Sequence, residues 1–302
     1  MTSLQRGLVL PVLVLVASVT AASAFGSAII GRDVSQPTLS VDRQGNAYVG
    51  YRVGGRTVKL QASGAINART PNRNVPQVKF QLRYGVGGKG TCLPYDGPPL
   101  AWLVKVCKAP DGSYWAIQAW QRLLPMRGFA PWLPQQGAYE FHLSHWSGPI
   151  ADFQVSQNWT YGGEWQGVFG RLTYAGNPVY GFTTPSATRR DPYARLVYID
   201  AHDSVYGTGW RHDTAVALHV GDGAFCYSFV PQAPPAGYPD ARLRGPAIGD
   251  QHRVTVMGPG VTPDVQWVGP SLGKYDPIRD RAFNELFDEL VGPNDKVCSA
   301  ER

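Results

Sequence analysis

The clearest pattern in the chain is a two-residue alternation of apolar and polar side chains, interrupted at short intervals by glycine, proline and asparagine. In AYVGYRVGGRTVKLQASGAI, residues 47–66, two alternating runs flank Gly54-Gly55. Alternation puts successive side chains on opposite faces of a strand, and two glycines that both accept positive φ make the simplest two-residue hairpin turn. A second hairpin is expected where SYWAIQAW, residues 113–120, follows Pro110-Asp111-Gly112. A third joins RLTY (171–174) to PVYGF (178–182) through Ala175-Gly176-Asn177. Further strands are expected in VPQVKFQLRY (75–84), ARLVYID (194–200), TAVALHV (214–220), AFCYSFV (224–230) and HRVTVMG (252–258). The apolar run LAWLVKV, residues 100–106, is too short for periodicity to decide between strand and helix.

One segment has a different period. In YDPIRDRAFNELFDELVGP, Asp276 is a capping residue and Pro277 suits the first helical position. Phe283, Leu286, Phe287, Leu290 and Val291 then recur at helical spacing until Gly292-Pro293 stops the run. The spacing predicts a helix over about 277–291, packed on a sheet face or covering a sheet edge. The whole reads as an all-β protein, sandwich or barrel-like, built of many short antiparallel strands and closed by this C-terminal helix. Composition agrees: 35 glycines, 25 prolines, 12% aromatic and only 17% charged residues describe strands joined by tight turns. No fixed-period repeat argues for a propeller or solenoid.

The beginning of the chain changes the picture. Arg6, the apolar run Leu8–Ala17 and the small residues Ala22-Ser23-Ala24 read as an export signal at residues 1–24, cleaved before Phe25. The competing reading is a retained N-terminal anchor, against which Pro11 and the small-residue tail argue. No other segment is apolar enough to span a bilayer, so the mature chain is expected to have no transmembrane segment and to be secreted. Residues 25–37 read as an extended lead-in, and 38–302 as one all-β domain or two tightly packed β layers.

Four cysteines after an export signal are expected to pair as disulfides. Of the three connectivities, Cys92 with Cys107 closes a short Pro/Gly-rich loop, and Cys226 with Cys298 ties the C-terminal tail to the body. The net charge of +6 comes from scattered basic residues, densest at Arg189-Arg190 and Arg242-Leu243-Arg244. Such an excess favours anionic surfaces such as envelope polymers without the clustered stripe that nucleic acid requires, so no nucleic-acid partner is expected.

Three stretches carry candidate chemistry. In YEFHLSHW, residues 139–146, alternation puts Glu140, His142, Ser144 and Trp146 on one strand face and Tyr139, Phe141, Leu143 and His145 on the other. The two histidines point apart, so no metal site is expected to use both. Glu140 and His142 share a face about 6–7 Å apart, close enough for a carboxylate to orient an imidazole. The plainer reading is a solvated polar face. In YIDAHDSVYGTGW, residues 198–210, Asp200, His202, Asp203 and Ser204 leave a strand for a turn. Acidic residues at a strand end can line a pocket, and they are also ordinary turn formers. If Asp200 or Asp203 met Glu140 in space, the pair would suit acid and base work on a glycosidic bond. Thirdly, Trp159, Tyr161 and Trp165 in NWTYGGEWQGVFG, with Trp146, are candidates for sugar-stacking platforms, although aromatics of a β protein usually belong to the core. No GxSxG, P-loop, HExxH or calcium-loop motif is present, and no cofactor is expected.

The wording of SYWAIQAWQRLLP, FHLSHWSGP, PVYGF and GPGVTPDV resembles a group of secreted actinobacterial proteins. That resemblance implies an exported setting and no particular activity. Two main functional readings follow from the residues, beside a third, a metal-dependent enzyme using Glu140, His142 and the Asp200 to Asp203 turn. The first is a secreted, disulfide-bonded β protein that binds a glycan or anionic envelope polymer, or serves a structural role there. The alternative is an extracellular glycan hydrolase using Glu140, Asp200 and Asp203, supported by His142.

Overall fold

The computed structural model describes residues 27–64, 80–120, 139–160, 165–174, 176–178, 182–183, 195–204, 207–212, 216–220, 224–228, 249–257 and 263–291. Residues 1–26, which hold the stretch expected to be an export signal and its expected cleavage point, lie outside them, as do Cys298 and the side chain of Cys226. The described chain is mostly strand, as the alternation predicts. The first eight strands are β1 (Ser27–Arg32), β2 (Ser35–Val41), β3 (Ala47–Val53), β4 (Arg56–Gly64), β5 (Phe80–Tyr84), β6 (Leu103–Lys108), β7 (Tyr114–Trp120) and β8 (Glu140–Trp146). They form two four-stranded antiparallel sheets ordered β2-β3-β4-β5 and β1-β8-β7-β6.

The first two predicted hairpins are present; of the third, only the pairing of residues 173–174 with 177–178 is described, residues 175 and 179–181 lie outside the described residues, and Phe182 pairs in another sheet. Gly54 and Gly55 both have positive φ, 52° and 77°, between β3 and β4. In the turn before β7, Asp111 Oδ1 accepts the Ser113 amide at 2.9 Å and Gly112 has φ of 84°. The undecided run at 100–106 supplies β6, a strand. The inward positions of the two sheets, among them Val49, Leu60, Trp115, Ile117 and Leu143, make one buried core, so the sheets form a sandwich. Residues 27–32, inside the stretch read as a lead-in, pair with β8.

The remaining strands are β9 (Asp152–Thr160), β10 (Trp165–Tyr174), β11 (Asn177–Pro178), β12 (Phe182–Thr183), β13 (Arg195–Ser204), β14 (Gly207–His212), β15 (Val216–Val220), β16 (Ala224–Ser228), β17 (Gln251–Met257) and β18 (Val265–Pro270). One sheet runs β11-β10-β16-β15 with β9 on the other side of β10; the next runs β12-β13-β17-β18 with β14 also pairing β13. All pairings are antiparallel except β12 with β13. A second core, including Val168, Leu172, Ile199, Val254 and Val256, joins these two sheets.

The helix α1 spans Pro277–Val291, as predicted. Asp276 caps it, its Oδ1 accepting the Ile278 amide at 2.9 Å. Among the described residues β9 pairs only with β10, and α1 lies against it: Phe283 packs on the buried Trp159 with ring centroids 5.9 Å apart. The expected apolar stripe is interrupted, because Leu286 is 44% exposed. The side chains of Phe287, Leu290 and Val291 lie outside the described residues. No helix among the described residues is long and apolar enough to cross a membrane.

Candidate functional site

The stretch YEFHLSHW is the central strand β8, and its alternation divides the side chains as the sequence implies. Phe141 and Leu143 enter the first core, and His145 stacks on Trp115 with centroids 3.8 Å apart. His145 Nδ1 meets the Gly64 carbonyl oxygen at 2.8 Å and its Nε2 meets Ser113 Oγ at 2.9 Å. Burial pushes its pKa down to about 4.

The opposite face differs from the expectation. Instead of being solvated, Glu140, His142, Ser144 and Trp146 are all fully buried. What covers them is the chain just before β18, together with the loop ahead of β6. Gln118 on the neighbouring strand forms a reciprocal pair with the backbone of Asp264: its Nε2 donates to the Asp264 carbonyl at 2.9 Å and its Oε1 accepts the Asp264 amide at 3.0 Å. The Asp264 side chain is thereby brought over β8. His142 Nδ1 lies 2.6 Å from Asp264 Oδ2, and Trp120 Nε1 donates to the same oxygen at 3.0 Å. On its other side His142 Nε2 lies 3.5 Å from Glu140 Oε2. Arg32 Nε donates to Glu140 Oε1 at 2.7 Å, with the Arg32 side chain 54% exposed. At the far end of the face, Trp146 is covered by Tyr95 and Tyr114.

The site is thus an imidazole between two carboxylates, sealed in the seam between the two sandwiches. Burial opposes charge on His142, but Asp264 and then Glu140 outweigh it and raise its pKa. Burial likewise opposes the Asp264 carboxylate, and His142, Trp120 and Ser27 overcome it and hold its pKa below the usual carboxylate range. In a medium of low dielectric the three groups stabilise one another's charged forms only as a set.

The Asp200 to Asp203 turn does not open onto this face. Asp200 is buried and lies directly opposite Arg253 in the β13–β17 ladder. Arg253 Nε donates to Asp200 Oδ2 at 2.7 Å, and Nη2 lies 2.6 Å from the same oxygen. The Arg253 guanidinium stands 4.2 Å from the Trp210 ring and 5.5 Å from Trp102, which stacks on Trp120. A file of rings and a guanidinium therefore separates Asp200 from His142, where acid and base action would need a shared open cleft. Asp203 points elsewhere. It sits at a bulge with φ of 46°, and its Oδ1 accepts the Gly209 amide at 2.6 Å.

Asp203, His202 and Asp250 each offer a ligand atom within 4.8 Å of the others, His202 Nδ1 being 2.8 Å from Asp250 Oδ1. All three are partly or well exposed, and the cluster is also an ordinary hydrogen-bonded loop end. The aromatic candidates divide similarly. Trp146 is fully buried and Trp159 is 4% exposed, so neither ring is an open platform. Tyr161 and the side chain of Trp165 lie outside the described residues.

A feature with no single motif emerges on the first sandwich. The outward positions of β3, β4 and β5 include Arg52, Lys59 and Arg83, all exposed. Gly50 pairs with Lys59, Arg52 with Thr57 and Gln61 with Arg83. The three cations therefore form a diagonal, each step moving one strand across and two residues along. The loop at 85–90 returns over the same sheet. Gly85 donates its amide to the Lys59 carbonyl at 2.8 Å, and a Cβ on Gly88 would lie 2.3 Å from the Tyr48 ring. No protein-family model, no curated protein and no solved structure matches the chain.

Proposed function

We propose that the protein is exported and works outside the cell as a binding module for an envelope or extracellular polymer, without cutting it. The observation that carries this reading is the enclosure of Glu140, His142 and Asp200, which leaves Asp203, at an exposed bulge, without a second carboxylate from that set beside it. Glu140, His142 and Asp200 are fully buried and held by Arg32, Asp264 and Arg253, so no described cleft offers them to a substrate. A general acid must reach the bond it protonates at hydrogen-bond distance, and a sealed ion pair does not. The export-like leader and the Cys92–Cys107 disulfide suit an oxidising compartment outside the cytoplasm.

The test is co-sedimentation of the mature chain with insoluble envelope polysaccharide, combined with an assay for reducing ends released into the supernatant. Retention on the polymer with no release is the expected result. Release of reducing ends that disappears in Glu140→Gln would replace binding with hydrolysis.

A further inference from the structure

We propose that the outward face of β2–β5 is the docking surface, and that its occupant is an acidic polysaccharide bearing carboxylates; this rests on the binding function proposed above. Within residues 35–64 and 80–91 the basic residues are Arg43, Arg52, Arg56, Lys59, Arg83 and Lys89, against the single acid Asp42. The whole chain has a net charge of only +6, so almost all of its excess sits on this one sheet and its loop.

All six cations are exposed, and among the described residues none joins an ion pair. Asp42 does not neutralise them. Its Oδ1 accepts the amides of Gln44 and Asn46, and its Oδ2 takes the Asn46 side chain and the Tyr48 hydroxyl. Surface cations without partners repel one another, which costs stability. An anion lying along them removes that cost.

The geometry selects the kind of anion. Diagonal neighbours on a sheet are about 7–8 Å apart, so Arg52, Lys59 and Arg83 mark a line of roughly 15 Å, long enough for several repeats of an extended chain. Thr57, Gln61, Ser63 and Gln81 alternate with them on the same face and supply donors and acceptors that match sugar hydroxyls. Arginine forks match carboxylates bidentately, as they do phosphates, so the phosphate-bearing alternatives are decided by what else the face offers. Nucleic acid fits less well, because single strands need open rings for base stacking. The one ring at an outward position of β3–β5, Tyr48, is covered by the backbone of Gly88 and bonded to Gln61 and Asp42. A membrane surface fits less well too, since those outward positions carry no aliphatic side chain to insert.

The experiment uses the full mature chain and polygalacturonate as the probe, with neutral dextran, single-stranded DNA and vesicles containing phosphatidylglycerol as further arms. Wild type should bind polygalacturonate in a salt-sensitive manner, ignore dextran, and gain several degrees of melting temperature with the polymer present. The triple variant Arg52→Ser, Lys59→Ser, Arg83→Ser should lose at least tenfold in affinity and the thermal gain. Its melting temperature without polymer should be no lower than wild type, which separates lost binding from lost fold. Lys274→Ser with Arg281→Ser, the same chemistry away from this face, should bind like wild type. A triple variant that binds as tightly as wild type overturns the docking face while leaving the binding function standing. Tighter, face-dependent binding of DNA or vesicles overturns the choice of occupant. A wild type that retains no polymer at all removes the binding function and this inference with it.

Discussion

His142 Nδ1 lies 2.6 Å from Asp264 Oδ2, a contact that joins the central strand of the first sandwich to the chain leading into β18 of the second. The two cores on either side are separate apolar clusters. Apolar contact alone would allow the halves to meet in several ways. An aspartate whose carboxylate must find one imidazole and one indole N–H while its backbone amide and carbonyl meet one glutamine fixes a single way. The polar residues of YEFHLSHW thus serve assembly of the fold, which is why they are not open to solvent.

Asp264→Ala should destabilise the protein by about 3–5 kcal/mol, the usual effect of leaving a buried charge without its partner. Chemical denaturation read by tryptophan fluorescence measures it, since Trp120 donates to Asp264. The double variant His142→Gln, Asp264→Asn should lose less than the sum of the two single changes, because the charges leave together. Additive losses would mean that the pair is not coupled.

Much of this was legible in the chain. Alternation placed Glu140 and His142 on one face, the paired glycines placed the β3–β4 turn, and Asp276-Pro277 placed the helix. The partners were not legible. Arg32, Asp264 and Arg253 reach Glu140, His142 and Asp200 respectively only through the pairing and docking of distant strands, and local pattern says nothing about which outward face another layer will cover. Trp146 and Trp159 look alike as platforms or as core until that packing is known. The cationic diagonal was hidden for another reason. Its residues lie on three different strands and far apart in sequence, although a wide window would have counted nine basic residues to one acidic between 35 and 91.

Stability should depend on pH through two groups of histidines that act in opposite directions. Burial holds His145 and His252 near about 4, below the ordinary histidine value. Each therefore contributes stability above about pH 6.5 that is lost as the pH falls towards 4, up to roughly 3 kcal/mol apiece. His142 is raised instead, so its contribution is complete below the ordinary histidine value and is lost as the pH rises through its folded value. Melting temperature should pass through a maximum between these limbs. His145→Gln should flatten the acidic limb and His142→Gln the alkaline one; an unchanged profile in both would refute the assignment.

Cys92 and Cys107, 15 residues apart, are joined with Cα atoms at 4.9 Å. The loop they close begins beside the returning glycine segment, and Cys107 is buried in the first core. Cys92→Ser with Cys107→Ser should cost about 3 kcal/mol in the chain-entropy picture. Urea unfolding of the variant, with a reduced wild type as comparison, gives the value. The reduced wild type should lose at least as much, because reduction also opens the expected Cys226–Cys298 crosslink that the variant keeps.

Gly90 tests how tightly the glycine loop is held. A Cβ there would lie 2.3 Å from the Val41 carbonyl carbon and oxygen, both backbone atoms that cannot rotate away. Next to it, Thr91 and Val41 exchange two backbone hydrogen bonds, at 2.8 and 3.0 Å, and Val41 is fully buried. Gly90→Ala must therefore push the loop off β2, lengthening those bonds, at a cost of about 1–3 kcal/mol. Amide hydrogen exchange should report the change locally, with protection falling at Val41 and Thr91 while Val254 and Val256 in the second sandwich keep theirs. Equal loss in both sandwiches would show that the two halves open as one unit, with the Asp264–His142 seam transmitting the damage.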